Sequence, residues 1–218
     1  MGERAVLIAG PGQHFAYELA SEFAYHGYDV ALAGRNTDQL DALASRLSED
    51  GVPSFLVKAD FSDLASVEVA LERCSQELPP WSSLIYNVKH SPTGDALTTE
   101  LHELEHSLGS NVLGALYLSR IALQAWERDK EASILLSGGG YKDAPDPNKL
   151  GLSVSKGALH SMALAMEPVF RDQGVAVKEV VIDGVVRPEG PIYPEELAKL
   201  YWYAHSNNSS ETVFTISA

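Results

Sequence analysis

Cysteine is nearly absent: Cys74 stands alone in 218 residues, so no internal disulfide can form and a hydrophobic core must hold the fold. A reducing cytoplasm is the compartment this composition leads one to expect. Positive charge is scarce too. The 16 Lys and Arg face 30 Asp and Glu, a formal net charge of −14, which argues against a nucleic-acid partner or an anionic membrane surface because both need clustered cations. No apolar run approaches the roughly 20 residues that a bilayer span requires. Met1-Gly2-Glu3-Arg4 leads straight into Ala5-Val6-Leu7-Ile8-Ala9, without the small-residue cleavage site of a signal peptide. A metal site is not expected. His102 and His106 form an i, i+4 pair, but Glu103 and Glu105 between them are expected to face elsewhere, and His160 reads with them as a surface or interface residue.

Short β-branched runs alternate with longer stretches of helical period. Seven runs read as strands, over residues 5–9, 29–33, 54–59, 83–86, 132–136, 176–182 and 213–216, each nearly continuous in apolar character, as strands buried on both faces must be. Leu40, Leu43, Ala44 and Leu47 repeat at i, i+3, i+4, i+7, with Asn36 or Thr37 placed to cap the start and Gly51 the end of a helix. Further helices are expected over 15–26, 64–77, 99–126, 152–172 and 194–205, with Pro168 kinking or shortening the fifth of the six. The pattern predicts a doubly wound parallel seven-stranded sheet with helices on both faces, as one domain over 1–218. Pro79-Pro80 and the stretches 143–148 and 187–194 read as loops. The last two follow strands five and six, on the edge where open α/β folds place ligands.

Strand one runs into Ala9-Gly10-Pro11-Gly12-Gln13-His14-Phe15-Ala16 and then a helix, the context a dinucleotide fingerprint requires. Glycine lets backbone approach a diphosphate, and the helix N-terminus offers donors and positive potential. Gly10, Gly12, Gln13, His14 and Phe15 are therefore candidate cofactor residues. At the end of strand two, Gly34 stands where an NAD site carries an acid, and Arg35 beside it can pair with a ribose 2′-phosphate. This favours NADP(H) over NAD(H). Asp60, after strand three, is placed for an adenine contact.

With Asn111-Val112-Leu113-Gly114, Ile134-Leu135-Leu136-Ser137-Gly138-Gly139-Gly140 and Ser153-Val154-Ser155-Lys156-Gly157-Ala158-Leu159, the chain resembles the short-chain dehydrogenase/reductase family over nearly its whole length. The resemblance implies a seven-stranded Rossmann sheet and a homodimer or homotetramer assembled through the helices after strands four and five. It makes Gly10 the first glycine of the phosphate turn, puts His14 in place of the second and Ala16 in place of the third. Asn87 matches an Asn after strand four, while Val88 and Lys89 depart from the pattern. Asn111 matches the Asn that holds a water in the family's proton relay, and Lys156 the Lys that binds the nicotinamide ribose and lowers a Tyr pKa. That Tyr is replaced by Leu152, and the catalytic Ser position falls on Gly139, with Ser137 two residues earlier. Asp183-Gly184 replaces Pro-Gly after strand six, and the short 185–193 loop predicts a pocket that is open or completed by another chain.

A carbonyl reduction needs a proton, which Leu152 cannot supply. Tyr141 and His90, in loops on the ligand edge, are the alternative donors, with Ser137 or a water held by Asn111 and Lys156 as others. Two readings follow: an NADP(H)-dependent oxidoreductase with a non-standard donor, or a non-catalytic nucleotide-binding relative that senses or partners. A non-redox lyase or isomerase is a distant third.

Overall fold

In the computed structural model, which describes residues 4–12, 15–77, 81–126 and 132–218, the alternating runs do become strands. They are β1 (Arg4–Ala9), β2 (Tyr28–Gly34), β3 (Ser54–Lys58), β4 (Trp81–Tyr86), β5 (Ala132–Ser137), β6 (Val175–Asp183) and β7 (Val213–Ser217). All pair in parallel, in the order β3-β2-β1-β4-β5-β6-β7. Period-two alternation divides their side chains between two cores. Ala5, Leu7 and Ala9 of β1 face one core, which also takes Leu118, Leu159 and Phe170. Val6 and Ile8 face the other, with Leu19, Phe23, Leu197 and Tyr201.

The helices are α1 (Ala16–Tyr25), α2 (Thr37–Glu49), α3 (Leu64–Glu77), α4 (Leu101–Leu108), α5 (Gly114–Ala125), α6 (Leu150–Arg171) and α7 (Pro194–Ser206). Asn36 caps α2 as its sequence suggests, its side-chain oxygen accepting from Gln39 N at 3.1 Å. One expectation fails. The single helix over 99–126 is instead α4 and α5 joined by a π-helical turn, Gly109–Leu113. A wider turn lets Asn111 reach back to the loop after β4, while Gly114, lacking a Cβ, packs against the Phe61 carbonyl and the Tyr86 hydroxyl. Pro168 does not end α6. It lies in the last turn, where its missing N–H costs one hydrogen bond, and the helix continues to Arg171. Pro79-Pro80 lies outside the described residues.

From β1 the chain winds outward to β2 and β3, then crosses to β4 and winds the other way. At that reversal the turns leaving β1 and β4 diverge and open a crevice at the carboxyl ends of the strands. No described helix is long and apolar enough to cross a membrane.

Candidate active site

The turn after β1 is shaped by glycine. Gly10 adopts φ +74° and donates from its N to the Ala33 carbonyl at 2.8 Å. A Cβ there would stand 2.7 Å from the Val88 N and Cα, so only glycine lets the two turns meet. Asn87 closes the junction from the other side, its N donating to Ala9 O at 2.8 Å and its side-chain amide to Gly10 O at 3.0 Å. Gly12 has nothing nearer to a would-be Cβ than the Asn87 amide at 3.8 Å, which leaves its backbone open to the crevice. Phe15 is buried and packs on Tyr201 at a ring separation of 5.2 Å. Gln13 and His14 lie outside the described residues.

Beside this turn, Gly34 and Arg35 form the rim. The Arg35 guanidinium is half exposed and 3.9 Å from the Asp60 carboxylate. Burial disfavours the Asp60 charge, but hydrogen bonds from the Ser62 N and hydroxyl, with Arg35 nearby, outweigh it and hold the pKa below the usual range. Asp60 is not among the residues lining the crevice, so it stands behind Arg35.

The crevice has a volume of about 690 Å³ and runs from Gly10 and Arg35 across Asn87 to Tyr141, Leu152 and Lys156. Lys156 lies buried under Gly139, where the missing Cβ leaves room for its stem, and its ammonium donates to the Ser137 carbonyl. Burial pushes its pKa down to about 8; the Glu179 carboxylate pulls it up and the Lys89 ammonium pushes it further down. Glu179 is fully buried beneath Gly138, with Oε2 2.6 Å from His160 Nδ1 and Oε1 without a partner. His160 is thus tied to a buried acid rather than free at a surface. Glu179 escaped the sequence reading because a lone acid in an apolar strand carries no motif.

Asn111 is clamped on the π-turn: its Oδ1 accepts from His90 N at 2.7 Å and its amide donates to His90 O at 2.8 Å. The Ser137 hydroxyl is engaged 2.5 Å from the Tyr201 hydroxyl, in the core on the α7 side of the sheet. Leu152 lines the crevice with no proton to give. Tyr141 lines it too, on a short 3₁₀ turn, and its hydroxyl accepts from Lys149 Nζ at 2.9 Å. The sequence marked Tyr141 but missed Lys149, because the fold of the intervening loop pairs them.

His90 faces α4 rather than the crevice, with Nδ1 3.0 Å from the Ser107 hydroxyl and Nε2 3.4 Å from Glu103. Burial lowers its pKa and favours the neutral ring. Glu103 also lies 3.5 Å from His102, so the expectation that it faces away from these histidines is wrong. Still, no group of three or more metal-ligating side chains exists among the described residues.

Residues 4–189 match the family model described as short chain dehydrogenase. The chain belongs to the short-chain dehydrogenase family. A glucose 1-dehydrogenase from Gluconobacter oxydans is 25% identical over 187 residues, covering 85% of this chain and 70% of that one. Among solved structures of like fold, an apo short chain oxidoreductase from Pseudomonas aeruginosa PAO1 containing an atypical catalytic center has a TM-score of 0.89 at 18% identity, covering 99% of this chain and 96% of its own. A short chain dehydrogenase from Burkholderia cenocepacia in complex with NADP has a TM-score of 0.88 at 18% identity over 99% of this chain and 97% of that one. Short-chain dehydrogenases bind nicotinamide cofactors.

Proposed function

We propose that the chain is an NADP(H)-dependent oxidoreductase that interconverts a carbonyl and an alcohol, with Tyr141 as its proton donor. The residues present fit the cofactor. Gly10, whose Cβ would collide with Val88, and Gly12, open to the crevice, offer backbone to a diphosphate, supported by Asn87; Gln13, His14 and Phe15, next in the sequence, remain proposed cofactor residues. Arg35 would take a ribose 2′-phosphate, with Asp60 behind it for the adenine end, and Lys156 the nicotinamide ribose. When bound, the nicotinamide supplies or accepts a hydride. The chain's own task is then to deliver a proton to the developing alkoxide.

One observation carries the choice of donor: the Lys149 ammonium donates to the Tyr141 hydroxyl on the wall of the crevice that Lys156 floors. An ammonium at hydrogen-bond distance stabilises the phenolate that remains after the proton leaves. Ser137 serves through its carbonyl, which fixes Lys156, since its hydroxyl is engaged with Tyr201. Asn111, whose side chain is held by the His90 backbone on the π-turn, remains the residue proposed to help hold a water. The Pseudomonas aeruginosa short chain oxidoreductase of like fold also contains an atypical catalytic center, in keeping with a re-sited donor.

The same reading includes a homodimer or homotetramer built on the outer faces of α5 and α6, where Val154, Leu164 and Val169 are exposed.

Turnover of NADPH with a panel of ketones, aldehydes and enones tests the activity, and Tyr141→Phe tests the donor. The variant is expected to lower kcat by about 100-fold, the lower range for loss of a general acid, with NADPH affinity unchanged. Full activity in Tyr141→Phe would move the donor to a water held by Asn111 and Lys156. No turnover by concentrated wild-type enzyme with any of these compounds would leave a nucleotide-binding chain without chemistry.

A further inference from the structure

Charge is distributed unevenly between the crevice and the rest of the molecule. The sequence has nearly twice as many acids as bases, 30 against 16. Yet among the described residues the crevice is lined by four cations, Arg35, Lys89, Lys149 and Lys156, and by no Asp or Glu. The acids nearby stand outside the lining: Asp60 behind Arg35, Glu179 beneath Gly138, Asp183 against Gly140, and Asp146 close enough to Lys149 to favour its charge. A protein with this acid surplus would by chance line a pocket with acids. Concentrating cations there instead creates a local positive field that selects anionic ligands.

Resting on the reading above, the cofactor accounts for only part of that field. Arg35 stands on the β2 side of the reversal, beside the glycine turn, and Lys156 is buried under Gly139 with its ammonium on the Ser137 carbonyl. Lys89 and Lys149 remain. Both lie over the β4–β6 side of the crevice, Lys89 in the loop after β4 and Lys149 at the start of α6. Lys89 makes no ion pair or hydrogen bond with a described residue, and its charge is close enough to Lys156 to lower that pKa. Glu179 answers the Lys156 charge from below, whereas Lys89 has no such acid among its described contacts, and a ligand anion would supply the opposite charge. Lys149 spends one of its three N–H donors on Tyr141 and keeps the other two.

We infer that Lys89 and Lys149 bind the oxyanion group, carboxylate or phosphoryl, of an anionic carbonyl substrate and set its carbonyl beside Tyr141. This makes the two lysines specificity-determining residues. It also gives the unpaired Lys89 a task and explains why the proton donor and an anion-binding ammonium share the Tyr141–Lys149 pair. A neutral sugar or simple ketone would leave Lys89 unpaired in the complex and bind more weakly.

Calorimetric titration with oxalate and with inorganic phosphate, each beside neutral oxamide, reads this without turnover. Titrations are run with NADPH at saturation, so that the glycine turn and Arg35 are occupied, and repeated without nucleotide. Wild-type protein is expected to bind at least one of the anions and not oxamide. Lys89→Gln and Lys149→Gln are each expected to weaken the anion about threefold to tenfold, the range for partly exposed charge pairs, whereas Lys199→Gln, on the exposed face of α7, leaves it unchanged. Oxalate favoured over phosphate assigns a carboxylate; the reverse assigns a phosphoryl group. Anion binding without NADPH binding supports the anion site while removing the cofactor reading. NADPH binding with no anion binding, or anion binding that neither lysine variant weakens, overturns the proposal and leaves the cofactor reading standing.

Discussion

On the β1–β2 side of the crevice the shape is set by backbone, with the Arg35 side chain at its edge, and the β4–β6 side is built mostly from side chains. Gly10 and Gly12 shape the first side, and the chain there can vary its side chains widely so long as the turn stays open and Gly10 can pass Val88. The second side depends on a few charged and hydroxyl groups held at distances set by distant elements: Lys149 on Tyr141, Glu179 on His160, Asn111 on His90. A backbone site conserves what it binds, whereas a side-chain site is free to change its chemistry. One molecule can thus keep the glycine-shaped turn after β1 and yet carry Leu152 where the family resemblance calls for a tyrosine.

Breaking the backbone side gives the largest effect. Gly10→Ala puts a Cβ 2.7 Å from the Val88 backbone at a φ of +74°. Nucleotide binding is expected to fall by at least about 100-fold, and stability by about 2–4 kcal/mol for overlap plus strain. Binding calorimetry and thermal unfolding measure the two; an unchanged NADPH affinity would mean that the turn does not form the diphosphate site.

The side-chain side is sharpened by pH. Lys156, with its pKa brought down to about 8 by burial, carries its proton below that value and loses it above. Reductive kcat/KM is therefore expected to decline above about pH 8, as the ammonium proposed to hold the nicotinamide ribose loses its charge. Glu179 favours the ammonium form, so Glu179→Gln should move this inflection to lower pH, with a smaller loss of activity at pH 6 than at pH 8. A loss equal at every pH would reduce Glu179 to a packing role. The depressed pKa also bears on folding: between about 8 and the ordinary lysine value the unfolded chain holds the proton and the native one does not, so this group adds stability as pH rises through that window.

The first side was the more legible in the sequence. Its features are local: an apolar run, glycines at fixed offsets, an Arg after the next strand, and Asn36 as a cap, each determined by residues near in sequence. Asn111 and Lys156 were legible by family resemblance alone. The pairings that define the second side join residues that only the fold brings together, such as Glu179 with His160 across β6 and α6 or Ser137 with Tyr201. The π-turn was equally hidden, because apolar periodicity across 99–126 tracks the buried face and not the hydrogen-bond register that changes at Gly109. Tyr141 could be singled out as a polar residue on the ligand edge, but its partner lay eight residues on, beyond a loop whose path no local rule gives.

The most direct measurement is a calorimetric titration of the full chain with NADPH and with NADH, repeated for Arg35→Gln. The account predicts that NADPH binds, that NADH binds about tenfold or more weakly, and that Arg35→Gln removes most of the difference by taking away the 2′-phosphate contact. Absence of heat with both nucleotides, on protein that unfolds cooperatively, would contradict it.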